Sequence, residues 1–138
     1  MIRTSRIRVA TNGQDDMVDL TPKIEQVLRS EGVSEALMTA FVVGSTAALS
    51  TIEYEPGLQR DMPVALERVA PVDAVYEHEE KWHDDNGHSH IRASLVGPSL
   101  SVPVSGGRLT LGEWQQIVLL EFDTRPRERQ VVIQLIDG

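Results

Sequence analysis

Short apolar and β-branched runs, each bounded by turn residues, set the strongest limit on how this chain can fold. They occupy Ile2 to Ala10, Ala36 to Val43, Ala47 to Glu53, Leu100 to Val104, Arg108 to Leu111, Gln116 to Phe122 and Arg129 to Ile136. Runs of this length and composition read as strands. Gly44-Ser45 leaves two strands, or one long strand with a bend. Asp123-Thr124-Arg125-Pro126-Arg127 reads as a hairpin-like loop between the last two strands.

Two windows carry helical spacing. Thr21 is the expected N-cap of the first, with Pro22 at the first helical position, where its missing N–H is harmless. Ile24, Val27 and Leu28 form its apolar face and Gly32 ends it. The second is expected from Asp61, as N-cap, to Ala70, with Val64, Leu66 and Val69 inward and Pro71 as the stop. Many strands and two main helices, without regular alternation, predict an α+β domain of packed, mostly antiparallel sheets. At 138 residues the chain is sized for a single domain, 1–138, with one sizeable core.

Charge and composition narrow the function. A formal net charge of -8 argues against nucleic acid or an anionic membrane as partner. Cysteine is absent, so thiolate ligands and disulfides are excluded and any metal site must use His, Asp and Glu. No apolar run approaches the roughly 20 residues that span a bilayer, and the first residues have no signal-peptide character. The expected location is the cytoplasm.

One stretch stands apart. All four histidines, His78, His83, His88 and His90, lie between Glu77 and His90, together with Glu77, Glu79, Glu80, Asp84 and Asp85. The stretch has no apolar periodicity and reads as a loop, followed by an apolar segment from Ile91 to Val96. Imidazole and carboxylate are the ligands of zinc and related divalent ions when cysteine is missing. His88 and His90, two residues apart, would share a face of an extended segment, and His78 would complete a three-histidine set. The alternative is a solvated polar loop whose histidines are incidental.

Further candidates lie elsewhere. Gly44-Ser45-Thr46-Ala47-Ala48 could cradle an anion through its N–H groups, or be a plain turn. Glu53 sits in a β-branched run, either pointing inward, where a carboxylate requires a partner, or as a strand-end acid. Arg125, Arg127 and Arg129 would share one side of an extended chain, suited to phosphate or to solvent-facing ion pairs. Trp114 and Gln115 either line a pocket or, for Trp114, fill the core.

Read together, the pieces resemble the YjbQ-like family, also called the secondary thiamine-phosphate synthase family. The residues that carry the resemblance are Ser45-Thr46-Ala47-Ala48-Leu49, Glu53, Arg60-Asp61-Met62, Tyr76-Glu77-His78, Asp85-Asn86, and His90-Ile91-Arg92-Ala93-Ser94-Leu95 with Gly97. Gly107-Arg108-Leu109, Leu111-Gly112, Trp114-Gln115-Gln116-Ile117 and Pro126-Arg127-Glu128-Arg129 continue it.

The resemblance implies a homotrimer with a site near subunit boundaries. It implies catalytic roles for Glu53, His78 and His90, and contact with a small phosphorylated molecule through Ser45, Thr46, Asp85, Asn86, Gln115 and Arg127. The residues themselves offer His78, His88 and His90 as the ligands of a divalent ion, zinc or magnesium. The implied activity is a weak thiamine-phosphate synthase, joining a pyrimidine methyl diphosphate to a thiazole phosphate and releasing pyrophosphate. The alternative is a non-catalytic trimer that binds a metal or small ligand. Many members carry His where this chain has Gly44 and Asn where it has Ile52, so a ligand from that strand is missing here: either His88 substitutes for it or the site binds metal weakly.

Overall fold

The structure is a computed structural model describing residues 1–138. Twelve elements follow one another: β1 (Ile2–Ala10), β2 (Met17–Asp19), α1 (Thr21–Glu31), β3 (Ala36–Val43), β4 (Ala47–Ile52) and α2 (Pro56–Val69), then α3 (Glu77–Trp82), α4 (Gly87–Val96), β5 (Ser99–Ser105), β6 (Arg108–Leu109), β7 (Gln116–Glu121) and β8 (Glu128–Ile136). The strands form a five-stranded sheet in the order β1-β8-β3-β5-β6 and a three-stranded sheet in the order β2-β7-β4. Every pairing is antiparallel. The α+β class expected from the strand-rich pattern is the one found. No helix is long and apolar enough to cross a membrane.

The main core lies between the sheets. Val9, Met38, Ala40, Val42, Val131, Ile133 and Leu135 of the large sheet meet Ala47, Leu49, Ile117 and Leu119 of the small one. Ile24 and Leu28 of α1 join them, as their helical spacing requires. The other face of the small sheet, through Met17, Ala48, Val118 and Leu120, packs on Ala93 of α4 and on Met62 and Leu66 of α2. Strand β7 is therefore covered on both faces, which explains why Ile117-Val118-Leu119-Leu120 is unbroken apolar sequence while β8 alternates.

Several local expectations change. Thr21 is not the N-cap: Leu20 takes that place, and the Thr21 hydroxyl accepts from the Ile117 N–H instead, at 2.8 Å. The second helix begins at Pro56 rather than after Asp61, because the Glu55 carboxylate caps the N–H groups of Gly57 and Leu58. Glu53 falls past the end of β4 and is exposed, so it does not point inward. Trp114 is 68% exposed and is not core. The stretch from Glu77 to His90 is not a loop but α3 and the first turn of α4. Asp123 to Arg127 does not close a hairpin, since β7 and β8 belong to different sheets.

The chain changes sheets at Gly44–Thr46, between β3 and β4, and again at Phe122–Arg127, between β7 and β8. The Phe122 N–H donates to the Thr46 carbonyl at 3.0 Å, so the two crossings lie side by side.

Candidate functional site

A cleft of about 410 Å³ opens where the two crossings meet the α3–α4 segment. Gly44, Ser45, Thr46, Arg127 and Arg129 line one end, and His78, Trp82, Asp84, Asn86 and His90 the other.

Its floor is a buried ionic network. Glu121, at the end of β7, is fully buried. It accepts from Thr11 Oγ1 at 2.7 Å and from Arg129 Nε at 2.8 Å, and Arg129 Nη2 binds its second oxygen. Arg129 Nη2 also donates to Thr46 Oγ1 at 2.7 Å, and that hydroxyl donates in turn to Asp123 Oδ2 at 3.0 Å. Arg127 closes the chain through Nε and Nη2 on the same Asp123 oxygen. Burial alone would raise the Asp123 carboxyl, but hydrogen bonds from Arg127, the Thr124 N–H and Thr46 outweigh it and bring its pKa down to about 2. Buried charges persist only when paired in this way.

The opposite wall carries the histidines. The rings of His78 and His90 face each other, with centroids 4.5 Å apart and planes at 59°. His78 Nε2 lies 3.1 Å from Asp84 Oδ1 and 3.0 Å from Asn86 Oδ1. A carboxylate only accepts, so the proton sits on Nε2 and Nδ1 is left to accept or, in the imidazolium, to donate. Two contacts hold α3 against α4. Gly87 N–H donates to Glu79 Oε1 at 2.6 Å, and Gly87 itself leaves room for Tyr76, whose Cβ would lie 2.6 Å from any added methyl.

His88 does not join the other two. In a helix, residues two apart point to nearly opposite sides, whereas an extended segment would have aligned them. His88 is buried, with Nε2 2.9 Å from Gln14 Oε1. Burial, and next the neighbouring Arg92, hold its pKa below the usual histidine range. Arg92, also fully buried, ties α4 to the rest of the chain. It donates to the Ala70 carbonyl at 2.9 Å and to Glu67 at 2.7 Å, and its Nη1 lies 3.4 Å from Asp15.

A divalent ion, as expected from the histidine stretch, requires at least three converging donors. Nowhere in the chain do three His, Asp or Glu side chains converge as a bound ion requires. The triad His78, His88 and His90 is thus not assembled, and the donors of the single chain do not fit the ion.

Of the other expected residues, Ser45, Thr46, Asn86 and Arg127 line the cleft. Asp85 is exposed, with a left-handed φ of 54°, and is not among the lining residues. Arg125 is exposed, so the three arginines do not act together. Glu53 and Gln115 lie at the far end of the small sheet, since Ile52 pairs with Gln116 while Ala47 pairs with Glu121. Five residues along a strand place them roughly 17 Å away. There Gln115 accepts from the Gly112 N–H and donates to Thr51.

Asp84, one carboxylate of the expected cluster, does line the cleft, whereas Glu121 and Asp123 were missed as site residues. The signal for both was present: carboxylates closing an otherwise buried apolar run must find cations.

The comparisons with known proteins bear on the whole chain. The family model described as UPF0047 protein YjbQ-like matches residues 5–138. A UPF0047 protein of Methanothermobacter thermautotrophicus is 35% identical over 134 residues, covering 97% of this chain and 92% of that relative. The UPF0047 protein YugU of Bacillus subtilis is 33% identical over 138 residues, covering 99% of each. A hypothetical protein from Aeropyrum pernix K1 superposes with a TM-score of 0.90 at 31% identity, over 99% of both chains. A YbjQ-like protein of unknown function from Sulfolobus solfataricus gives 0.89 at 27%, over the full length of both. End-to-end matches in sequence and in fold make this chain a member of the UPF0047, YjbQ-like family.

Proposed function

We propose that the cleft binds small phosphorylated molecules and, in a thiamine-phosphate-synthase type of reaction, transfers a pyrimidine methyl group from its diphosphate to a thiazole phosphate. The supporting observation is the pairing of unpaired guanidinium N–H groups with a facing histidine pair across a single cleft. In that reaction the carbon–oxygen bond from a pyrimidine methylene to diphosphate breaks, and a bond forms from that carbon to a thiazole nitrogen. Charge develops on the departing pyrophosphate, where fixed N–H donors stabilise it most. Arg127 and Arg129 suit that task, because Asp123 and Glu121 hold them in place before any ligand arrives. An imidazolium of the His78–His90 pair would hand a proton to the pyrophosphate oxygen. Trp82, 60% exposed at the mouth, offers a flat surface for a heterocycle.

Glu53 and Gln115 enter this scheme only as residues of a second copy, reaching a cleft across a subunit boundary in a homotrimer. Steady-state kinetics with the two precursors test the proposal. Turnover that falls by about 100-fold or more in His78→Ala and His90→Ala supports it, in line with losing a general acid. No turnover by the wild-type protein refutes it.

One observation favours a second reading, binding without turnover: the carboxylate assigned to catalysis, Glu53, is absent from the cleft of its own chain. Tight, saturable binding of a phosphorylated compound with no product formed would select that reading.

A further inference from the structure

Arg129 has five guanidinium N–H donors, like any arginine. Three are consumed, by the two oxygens of Glu121 and by Thr46 Oγ1, which leaves the two on Nη1. No buried side-chain nitrogen in the molecule lacks a partner, so Nη1 is not sealed away despite the 7% exposure of its residue. It projects past Gly44. A methyl group built on Gly44 would stand 2.8 Å from Nη1, closer than a carbon and a nitrogen can approach. Arg129 has little freedom to withdraw, since its other nitrogens are fixed by a fully buried carboxylate and a buried hydroxyl. Gly44 also has φ +136°, a conformation that other residues rarely adopt.

Arg127 adds to the same end. Its Nε and Nη2 both engage Asp123, and its Nη1 makes no bond within the chain. Two guanidinium groups, each anchored from behind by a buried carboxylate, therefore turn free N–H groups toward one end of the cleft. The exposed Ser45 hydroxyl stands beside them. Such anchoring removes most of the side-chain entropy that binding would otherwise cost.

We propose that Gly44 and Arg129 form one specificity element: the missing side chain at residue 44 opens the space through which Arg129 Nη1 contacts a terminal phosphate directly. This rests on the reading of the cleft as a phosphate-binding site and names the pair that makes it one. Arg129 is the ligand-contacting group and Gly44 acts through it. The phosphate end then works with guanidinium charge alone, in keeping with the lack of a converging set of metal donors.

The test is calorimetric titration of inorganic pyrophosphate into the full chain in metal-free buffer. The wild-type protein is expected to bind one equivalent per chain. Gly44→Ala and Arg129→Lys are each expected to weaken binding by about tenfold or more, the worth of a lost charge-assisted hydrogen bond. Thermal melts establish that each variant is folded. Gly44→Ala removes no hydrogen-bonding group from Arg129, Glu121 or Thr46, so it carries the test if Arg129→Lys does not fold. Unchanged affinity in a folded variant overturns the inference, as does wild-type binding that appears only when zinc or magnesium is added. A wild-type protein that binds no pyrophosphate with or without metal overturns the phosphate reading itself.

Discussion

The two sides of the cleft are built on opposite principles. The floor is set by charges with almost no exposure: Glu121, Asp123 and Arg129 are all buried, and each is held by several hydrogen bonds. The histidine wall rests on α3, a six-residue helix with no buried side chain, capped by a left-handed His83. The floor is thus fixed by the fold itself, whereas the α3 side of the wall is held by a few contacts at Glu79, Gly87 and Asn86, and only the α4 side is anchored in the interior, through Arg92 and Ser89. A site with a rigid anion end and a weakly anchored proton-transfer end binds first and orients second.

The sharpest way to break this contrast is to remove a floor charge. Arg129→Ala strands a buried Glu121 and is expected to destabilise the chain by about 3–5 kcal/mol, read from urea unfolding. A loss below 1 kcal/mol would mean that the floor is no stiffer than the wall. Gly87→Ala forces a methyl group against Tyr76 and separates α3 from α4. Its expected cost is about 1–3 kcal/mol, as for other overpacked sites. Hydrogen exchange should speed up in α3 and α4 but not in β7; a uniform change would dissolve the distinction.

Acid should attack the buried side of α4, behind the wall, and the floor at different pH. The His88 pKa is lowered in the folded chain, so the unfolded chain takes up its proton first. That contribution is complete above about 6.5 and fades as pH falls below it. The Asp123 pKa is lowered from 3.8 to about 2, so its contribution persists above 3.8 and fades only between there and about 2. Urea midpoints followed against pH should show the early decline vanish in His88→Gln while the later one remains. The smallest effect belongs to Asp84→Ala. Its partner His78 is partly exposed, and a loss of no more than about 1 kcal/mol is expected from thermal melts.

How much of this could be read from the residues follows the same division. Strands β1, β3 and β8 are legible as apolar, β-branched runs, but their alternation in burial is not, since the outward face of β3 carries Leu37, Phe41 and Val43. The helical nature of the histidine segment is not legible either. Helix α3 buries nothing, and the buried face of α4 is Gly87, His88, Ser89, Arg92 and Ala93, so no apolar period appears. A misread period then misplaced His88, which turned a two-histidine pair into an expected three-histidine set. The partnership of Arg129 with Glu121 depends on where the chain changes sheets, and local pattern carries no record of that.

The pairing of β1 with β8 joins Ile2 to Ile136 and lays the two ends of the chain in adjacent strands. Contacts that span nearly the whole sequence carry a large loop-closure penalty and slow the search for the native state. The contacts that join α3 to α4 lie only eight residues apart in sequence and carry a far smaller penalty. The guanidinium floor exists only once β8 sits between β1 and β3, so an anion bound there reports that the longest-range pairing of the chain has formed.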